Sequence, residues 1–111
     1  MKQPDVRTLE KIVDEITYLE TLLSDVSMEE FLSDDTIKRA AAMAPINIGE
    51  LAKHLSSEFY EEHPTTELKY AARTRDVYAH GYYTLHFETV YATAMHDYPR
   101  VKAWILEVLN R

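Results

Sequence analysis

The stretch DTIKRAAAMAPINIGELAKHLSSEF, residues 35–59, decides the fold. Apolar side chains recur along it in steps of four and three residues, which is the period of one face of an α-helix. The pattern continues across Pro45, so it predicts one long helix with a kink at the proline rather than a break. Glu61-Glu62-His63-Pro64 is expected to end this helix. The apolar positions are Ile37, Ala41, Ala44, Ile48, Leu51, Leu55 and Phe59.

The segment before this stretch also has the helical period. It predicts a first helix of about five turns that starts near Asp5. Ser27-Met28-Glu29-Glu30 is a capping-box pattern, which predicts a short second helix. Asp34 or Asp35 can then cap the long third helix. The apolar stripe of the first helix is Leu9, Ile12, Ile16, Leu19 and Leu23.

Three further helices are predicted after residue 64. The fourth should run from Thr65 or Thr66 to about His80, where Gly81 stops it. The fifth should run from near Leu85 to Met95. Asp97-Tyr98-Pro99 is typical of an N-cap followed by proline near a helix start, so it predicts the opening of the last helix.

Composition supports an all-α fold. The 111 residues include two glycines, too few for the tight turns of a strand-rich protein, and no cysteine, which excludes disulfides and thiolate catalysis. No apolar run approaches the ~20 residues of a membrane span. We therefore expect a single cytoplasmic domain, residues 1–111, folded as a bundle of five or six helices. The two long apolar stripes leave surface for a second subunit, which favours a homodimer.

The distribution of charged residues along the sequence indicates where an anionic ligand could bind. The net charge of −7 lies within residues 1–37, whereas residues 66–111 carry a balance of +1. An anionic ligand would be repelled by the acidic third. Phosphate chemistry is thus expected after residue 65, and the acidic third is interpreted as a solvated surface or a docking site for a basic partner. The cations after residue 65 include Lys69, Arg73, Arg75, Arg100 and Lys102.

The densest polar cluster is Arg73-Thr74-Arg75-Asp76-Val77-Tyr78-Ala79-His80-Gly81-Tyr82-Tyr83. An imidazole can exchange a proton near neutral pH, and a guanidinium can hold a phosphate with two parallel hydrogen bonds. Together they suffice to cleave RNA without a metal, because the 2′-hydroxyl supplies the nucleophile. Five helical residues separate Arg75 from His80 by ~140°, so the two converge only if the helix ends first or a second subunit contributes. The simpler interpretation is a histidine at a helix C-terminus among surface arginines.

A second polar pattern lies on the long helix. Glu50, His54, Glu58 and Glu62 are four residues apart and would share one helix face. Such a set can bind a divalent metal, but the Glu-x-x-His spacing of di-metal bundles is absent from the chain. We interpret the stripe as a solvated face and expect no metal site or cofactor.

The segment Arg75 to Tyr82 resembles the R-x-x-x-x-H-x-Y signature of the HEPN superfamily, and most closely that of the HepT-like toxins. The resemblance implies an all-helical dimer with the signature residues in a cleft between subunits. It implies a metal-independent endoribonuclease toxin in which Arg75 binds the scissile phosphate, His80 is the general acid or base, and Asp76 orients one of them. Lys69, Arg73 and Tyr83 are candidate contacts to RNA phosphates.

The resemblance also implies a partner. HepT-like toxins are paired with a minimal nucleotidyltransferase antitoxin that modifies a tyrosine with AMP, and Tyr82 occupies that position. Added bulk and negative charge beside the site would repel RNA.

Two other functions stay open. The protein could be a non-catalytic subunit of a nucleotidyltransferase complex, in which Arg75 and His80 bind a nucleotide without cleaving it. It could also be a structural helical dimer whose acidic third binds a basic partner.

Overall fold

The computed structural model describes the backbone of residues 1–79 and 81–111, and the side chains of all of these except residues 77–79 and 82. The described residues form helices and turns and contain no strand. The α-helices are α1 (Gln3–Leu22), α2 (Met28–Ser33), α3 (Asp35–Lys53), α4 (Ser57–Glu62), α5 (Leu68–Ala79), α6 (Phe87–Ala92) and α7 (Tyr98–Val108). The all-α prediction is therefore confirmed.

Helix α3 lies at the centre of the bundle. It packs against α1 on one side and against α5 on another, while α1 also contacts α7 and α2 contacts both α3 and α6. The predicted apolar stripe of α1 is buried along its length, and Phe31 of α2 is fully buried in the same core. Helix α3 continues through Pro45, as its apolar pattern predicts.

Side-chain caps begin α2 and α3 at the predicted places. Ser27 and Glu30 form the capping box of α2, with reciprocal backbone hydrogen bonds of 3.1 Å each. Asp34, rather than Asp35, caps α3 by accepting a hydrogen bond of 3.0 Å from the backbone of Ile37. These contacts satisfy helix N–H groups that have no partner within the helix.

The long third helix is shorter than predicted, because it ends at Lys53 and a separate helix follows. The Ser56 hydroxyl accepts a hydrogen bond from the Phe59 backbone and so caps α4. Asp5, which is 4% exposed, accepts hydrogen bonds from Ser56 N (3.0 Å) and Ser56 Oγ (2.5 Å). The apolar pattern did not reveal the break, because Leu55 within the break and Phe59 after it are both buried.

The last two predicted helices form one continuous helical run. A π-helical segment, Thr93–Asp97, joins α6 to α7. Asp97 has helical backbone angles and makes no capping hydrogen bond, so the predicted N-cap is wrong. Its carboxylate instead lies 3.3 Å from Arg100. Pro99 has no N–H to donate, and the wider π turn before it keeps the helix continuous.

Candidate active site at the contact of two helices

Arg75 lies where α3 and α5 approach each other closely. A Cβ atom placed on Gly49 would be 2.6 Å from Arg75 Cβ and 2.9 Å from the backbone oxygen of Ala71. Only a residue without a side chain fits at this distance, so Gly49 allows the contact. Position 75 faces α3 because it follows Leu68 and Ala71 at helical spacing, and Leu68 is buried. The fold therefore fixes the start of the Arg75 side chain against α3.

The Arg75 guanidinium is held by a carboxylate from α3. Its Nε lies 3.0 Å from Glu50 Oε2, an ion-pair distance, although the N–H is not aligned as a hydrogen bond. Nε itself is buried, whereas the whole Arg75 side chain is 32% exposed. Part of the planar group thus reaches solvent while its inner edge is covered.

Asp76 forms a second ion pair at this site. Its Oδ1 accepts a hydrogen bond of 3.1 Å from Arg75 Nη1 and lies 3.4 Å from Lys53 Nζ. The Arg75 hydrogen bond, followed by the nearby Lys53 charge, lowers the pKa of Asp76 below its usual value. Asp76 is therefore ionised at neutral pH and can orient the guanidinium, as the resemblance implies for this position.

Three other predicted site residues are distributed along α5 and the turn after it. Lys69 Nζ lies 5.9 Å from the centre of the Tyr60 ring. Arg73 is exposed on the same side of α5 as Asp76. Tyr83 belongs to the short 3₁₀ turn Tyr82–Thr84 and is 89% exposed.

The remaining two predicted site residues fall partly or wholly outside the described part of the chain. His80 lies outside it, so its distance from Arg75 stays a prediction. The backbone of Tyr82 lies in the 3₁₀ turn, but its side chain is outside the description. Between them, Gly81 has a φ of +132°, a conformation that side chains disfavour, and this agrees with its predicted role at the end of the fourth helix.

The predicted polar stripe is divided by the break after Lys53. Glu50 Oε1 lies 3.5 Å from His54 Nε2, and the same carboxylate forms the ion pair with Arg75. Glu58 belongs to α4 and pairs with Lys2. The stripe is therefore not one helix face. Among the described residues, no three histidine or carboxylate side chains are gathered in a way that could hold a metal ion. Likewise, no helix in the described ranges is long and apolar enough to cross a membrane.

Gly49 and Glu50 are site residues that the sequence did not identify. Glu50 appeared only as part of the polar stripe, and nothing in the spacing of residues 50 and 75 links them. A glycine in the middle of a helical pattern was the one available signal, because glycine is unfavourable there unless a close contact requires it.

Comparisons with known proteins agree on one family. The profile described as "Ribonuclease HepT-like" matches residues 12–108. A relative from Caldanaerobacter subterraneus subsp. tengcongensis, named "Putative RNase", is 29% identical over 103 residues, covering 93% of this chain and 92% of the relative. Two similarly named proteins from Methanocaldococcus jannaschii are 28% and 27% identical; the alignments cover 92% and 99% of this chain and 89% and 92% of those proteins. No solved structure matches the chain.

Proposed function

Because the chain belongs to the ribonuclease HepT-like family, we propose that it is an endoribonuclease that cleaves RNA without a metal ion. The observation that carries this proposal is the partly buried Arg75, whose guanidinium is fixed by Glu50 and Asp76 and still reaches the surface. A guanidinium held in this way is suited to bind a phosphodiester in one orientation.

In the proposed reaction, the RNA 2′-oxygen attacks the adjacent phosphorus and the bond from phosphorus to the 5′-oxygen breaks. The products are a 2′,3′-cyclic phosphate and a free 5′-hydroxyl. His80 acts as general acid or base, by taking the proton from the 2′-hydroxyl or by giving one to the leaving 5′-oxygen. Arg75 stabilises the negative charge that develops on the phosphate, and Asp76 orients Arg75.

We propose that the active protein is a homodimer with its sites near the subunit contact. Helices α3 and α5, which hold Arg75, also expose Met43 and Tyr70. Large exposed side chains close to a site support a surface that a second copy covers. A dimer would also allow a His80 from the partner subunit to complete the site.

We further propose that the protein is a toxin neutralised by a minimal nucleotidyltransferase, which transfers AMP to Tyr82. The exposure of Tyr83 supports this, because it places the 3₁₀ turn that contains Tyr82 at the protein surface. Incubation with that antitoxin and ATP should add one AMP to the peptide that contains residue 82, as measured by mass spectrometry. Tyr82→Phe should prevent the addition, whereas Tyr83→Phe should allow it.

Cleavage of labelled single-stranded RNA in EDTA tests the enzymatic proposal. We expect the wild-type protein to cleave, and His80→Ala and Arg75→Ala to lose about 100-fold or more of the rate, as expected when a proton-transfer or charge-stabilising group is removed. His96→Ala, which changes an exposed histidine on the π-helical segment, is the matched control and should retain activity. Full activity of His80→Ala would refute the proposed role. Nucleotide binding without any cleavage by the wild-type protein would favour the non-catalytic subunit.

A further inference from the structure

The Arg75 side chain is held at two points by consecutive residues of α3. At its start, Cβ packs against Gly49, where there is no room for another side chain. At its far end, Nε lies 3.0 Å from Glu50 Oε2 and is buried. Gly49 and Glu50 together therefore determine the path of the side chain across α3.

We propose that Glu50 is a positioning residue that fixes the plane of the Arg75 guanidinium for phosphate binding. This inference rests on the proposed ribonuclease function. The five N–H groups of a guanidinium lie in one rigid plane, so a contact at Nε restricts the direction of the others. Glu50 approaches from α3, whereas Asp76 is next to Arg75 on α5 and follows any movement of that helix. Among the described residues, Glu50 is the one that joins the guanidinium directly to a second element of the fold, because Asp76 reaches α3 through Lys53.

The negative charge of Glu50 makes a positioning role distinguishable from an effect on RNA affinity alone. A carboxylate 3.0 Å from the phosphate-binding group opposes the approach of RNA, because like charges repel. If Glu50 affected only affinity, its neutralisation would improve RNA binding and raise kcat/KM. If Glu50 positions Arg75, its neutralisation lowers kcat even though KM does not rise, because the guanidinium loses its orientation.

Kinetics of Glu50 variants test the proposal. For Glu50→Gln, which keeps the shape but not the charge, we expect kcat to fall about 10-fold to 100-fold without an increase in KM. Glu50→Asp keeps the charge but draws the carboxylate back by one methylene group, and should recover part of that loss. Glu20→Gln is the matched control, since Glu20 forms an ion pair with Lys102 at similar exposure, 38% against 46% for Glu50. It should leave kcat within about twofold of wild type.

A direct readout of Arg75 separates positioning from a structural role. In the wild-type protein the buried Arg75 Nε–H should give a resolved NMR signal that exchanges slowly with water, assigned through its absence in Arg75→Lys. Glu50→Gln should shift or broaden this signal while the backbone signals and the melting temperature stay close to wild type. A folded Glu50→Gln protein with wild-type kcat and an unchanged Arg75 signal would overturn the proposal.

The experiment distinguishes this inference from the proposed function. Absence of RNA cleavage by the wild-type protein would refute the function. Single-stranded DNA, which lacks the 2′-hydroxyl and is not cleaved by this chemistry, then serves as the binding probe. A change of the Arg75 Nε–H signal on addition of this DNA, if it occurs in the wild-type protein but not in Glu50→Gln, would still support the positioning role of Glu50. An equal perturbation in both proteins would refute it.

Discussion

Gly49→Ala tests whether the contact between α3 and α5 determines the position of Arg75. In an ordinary helix interior this change is stabilising by about 1 kcal/mol, because alanine favours the helix more than glycine does. Here the added Cβ would meet Arg75 Cβ at 2.6 Å and the backbone oxygen of Ala71 at 2.9 Å. Neither atom is the free end of a flexible side chain, so the helices must separate.

The size of the effect follows from these distances. Carbon atoms pack best at about 3.5–4.0 Å, so relief of the 2.6 Å contact requires a movement of about 1 Å. Overpacking of this kind costs about 1–3 kcal/mol, from which the helix preference of alanine subtracts about 1 kcal/mol. We expect a net loss of up to about 2 kcal/mol and a fall in melting temperature of up to about 8 °C. A displacement of about 1 Å at Arg75 should also reduce RNA cleavage about 100-fold.

Urea unfolding, thermal unfolding and RNA cleavage of the purified variant measure these effects. Thr36→Ala is the control, because Thr36 is exposed near the start of α3, far along the helix from Gly49, and its replacement should change the stability by less than about 0.5 kcal/mol. The sign of the stability change is decisive. A Gly49→Ala protein that is more stable than wild type, with normal cleavage, would show that α3 and α5 are not in close contact at Arg75.

Three further predictions concern hydrogen bonds and ionisation. Asp5→Ala should lower the free energy of unfolding in urea by about 2–4 kcal/mol, because Ser56 N and Oγ lose their buried acceptor, whereas Asp5→Asn should cost less. Burial raises the pKa of Tyr60 from 10.0 to about 12. The unfolded chain therefore releases this proton at a lower pH than the folded protein does, and the free energy of unfolding falls as pH rises between these values. Tyr60→Phe should remove that part of the alkaline loss of stability, as measured by urea titrations. The lowered pKa of Asp76 gives stability that is present above its usual value of 3.8 and is lost as pH falls through the lowered one, so Asp76→Asn should flatten the loss in thermal unfolding below pH 3.8.

Periodicity and capping residues were sufficient to predict α1, α2 and the start of α3. The buried stripe of α1, the capping box of α2 and the Asp34 cap of α3 follow from local rules, because each involves residues within about one helical turn. The break after Lys53 could not be predicted in this way. It depends on Asp5, which is 51 residues from Ser56 in the sequence and reaches it only in the folded chain.

The candidate site was likewise predicted only in part from the sequence. Arg75 was identified because a guanidinium near His80 is suited to phosphate chemistry, and Asp76 because the resemblance to the HepT-like toxins assigns a role to its position. Glu50 was assigned to a solvated helix face, because helical spacing indicates which residues share a face but not what packs against them. The contact between Glu50 and Arg75 could not be predicted, because the two residues are far apart in the sequence. The unusual glycine at position 49 was the local sign of that contact.

The structure also changes how the charge of the protein bears on RNA binding. Lys102 and Arg111, which contribute to the positive balance after residue 65, pair with Glu20 and Glu10 of the acidic α1. Arg100 pairs with Glu67 and Asp97. These cations offset acidic side chains of the bundle, which leaves Lys69, Arg73 and Arg75 on α5 as the proposed phosphate contacts among the cations named after residue 65. Three such contacts would release few counterions. The logarithm of the affinity of one chain for single-stranded RNA should therefore fall with the logarithm of salt concentration with a slope of only about −2. We therefore expect the specificity of the site to depend on the orientation of the Arg75 guanidinium more than on a large basic surface.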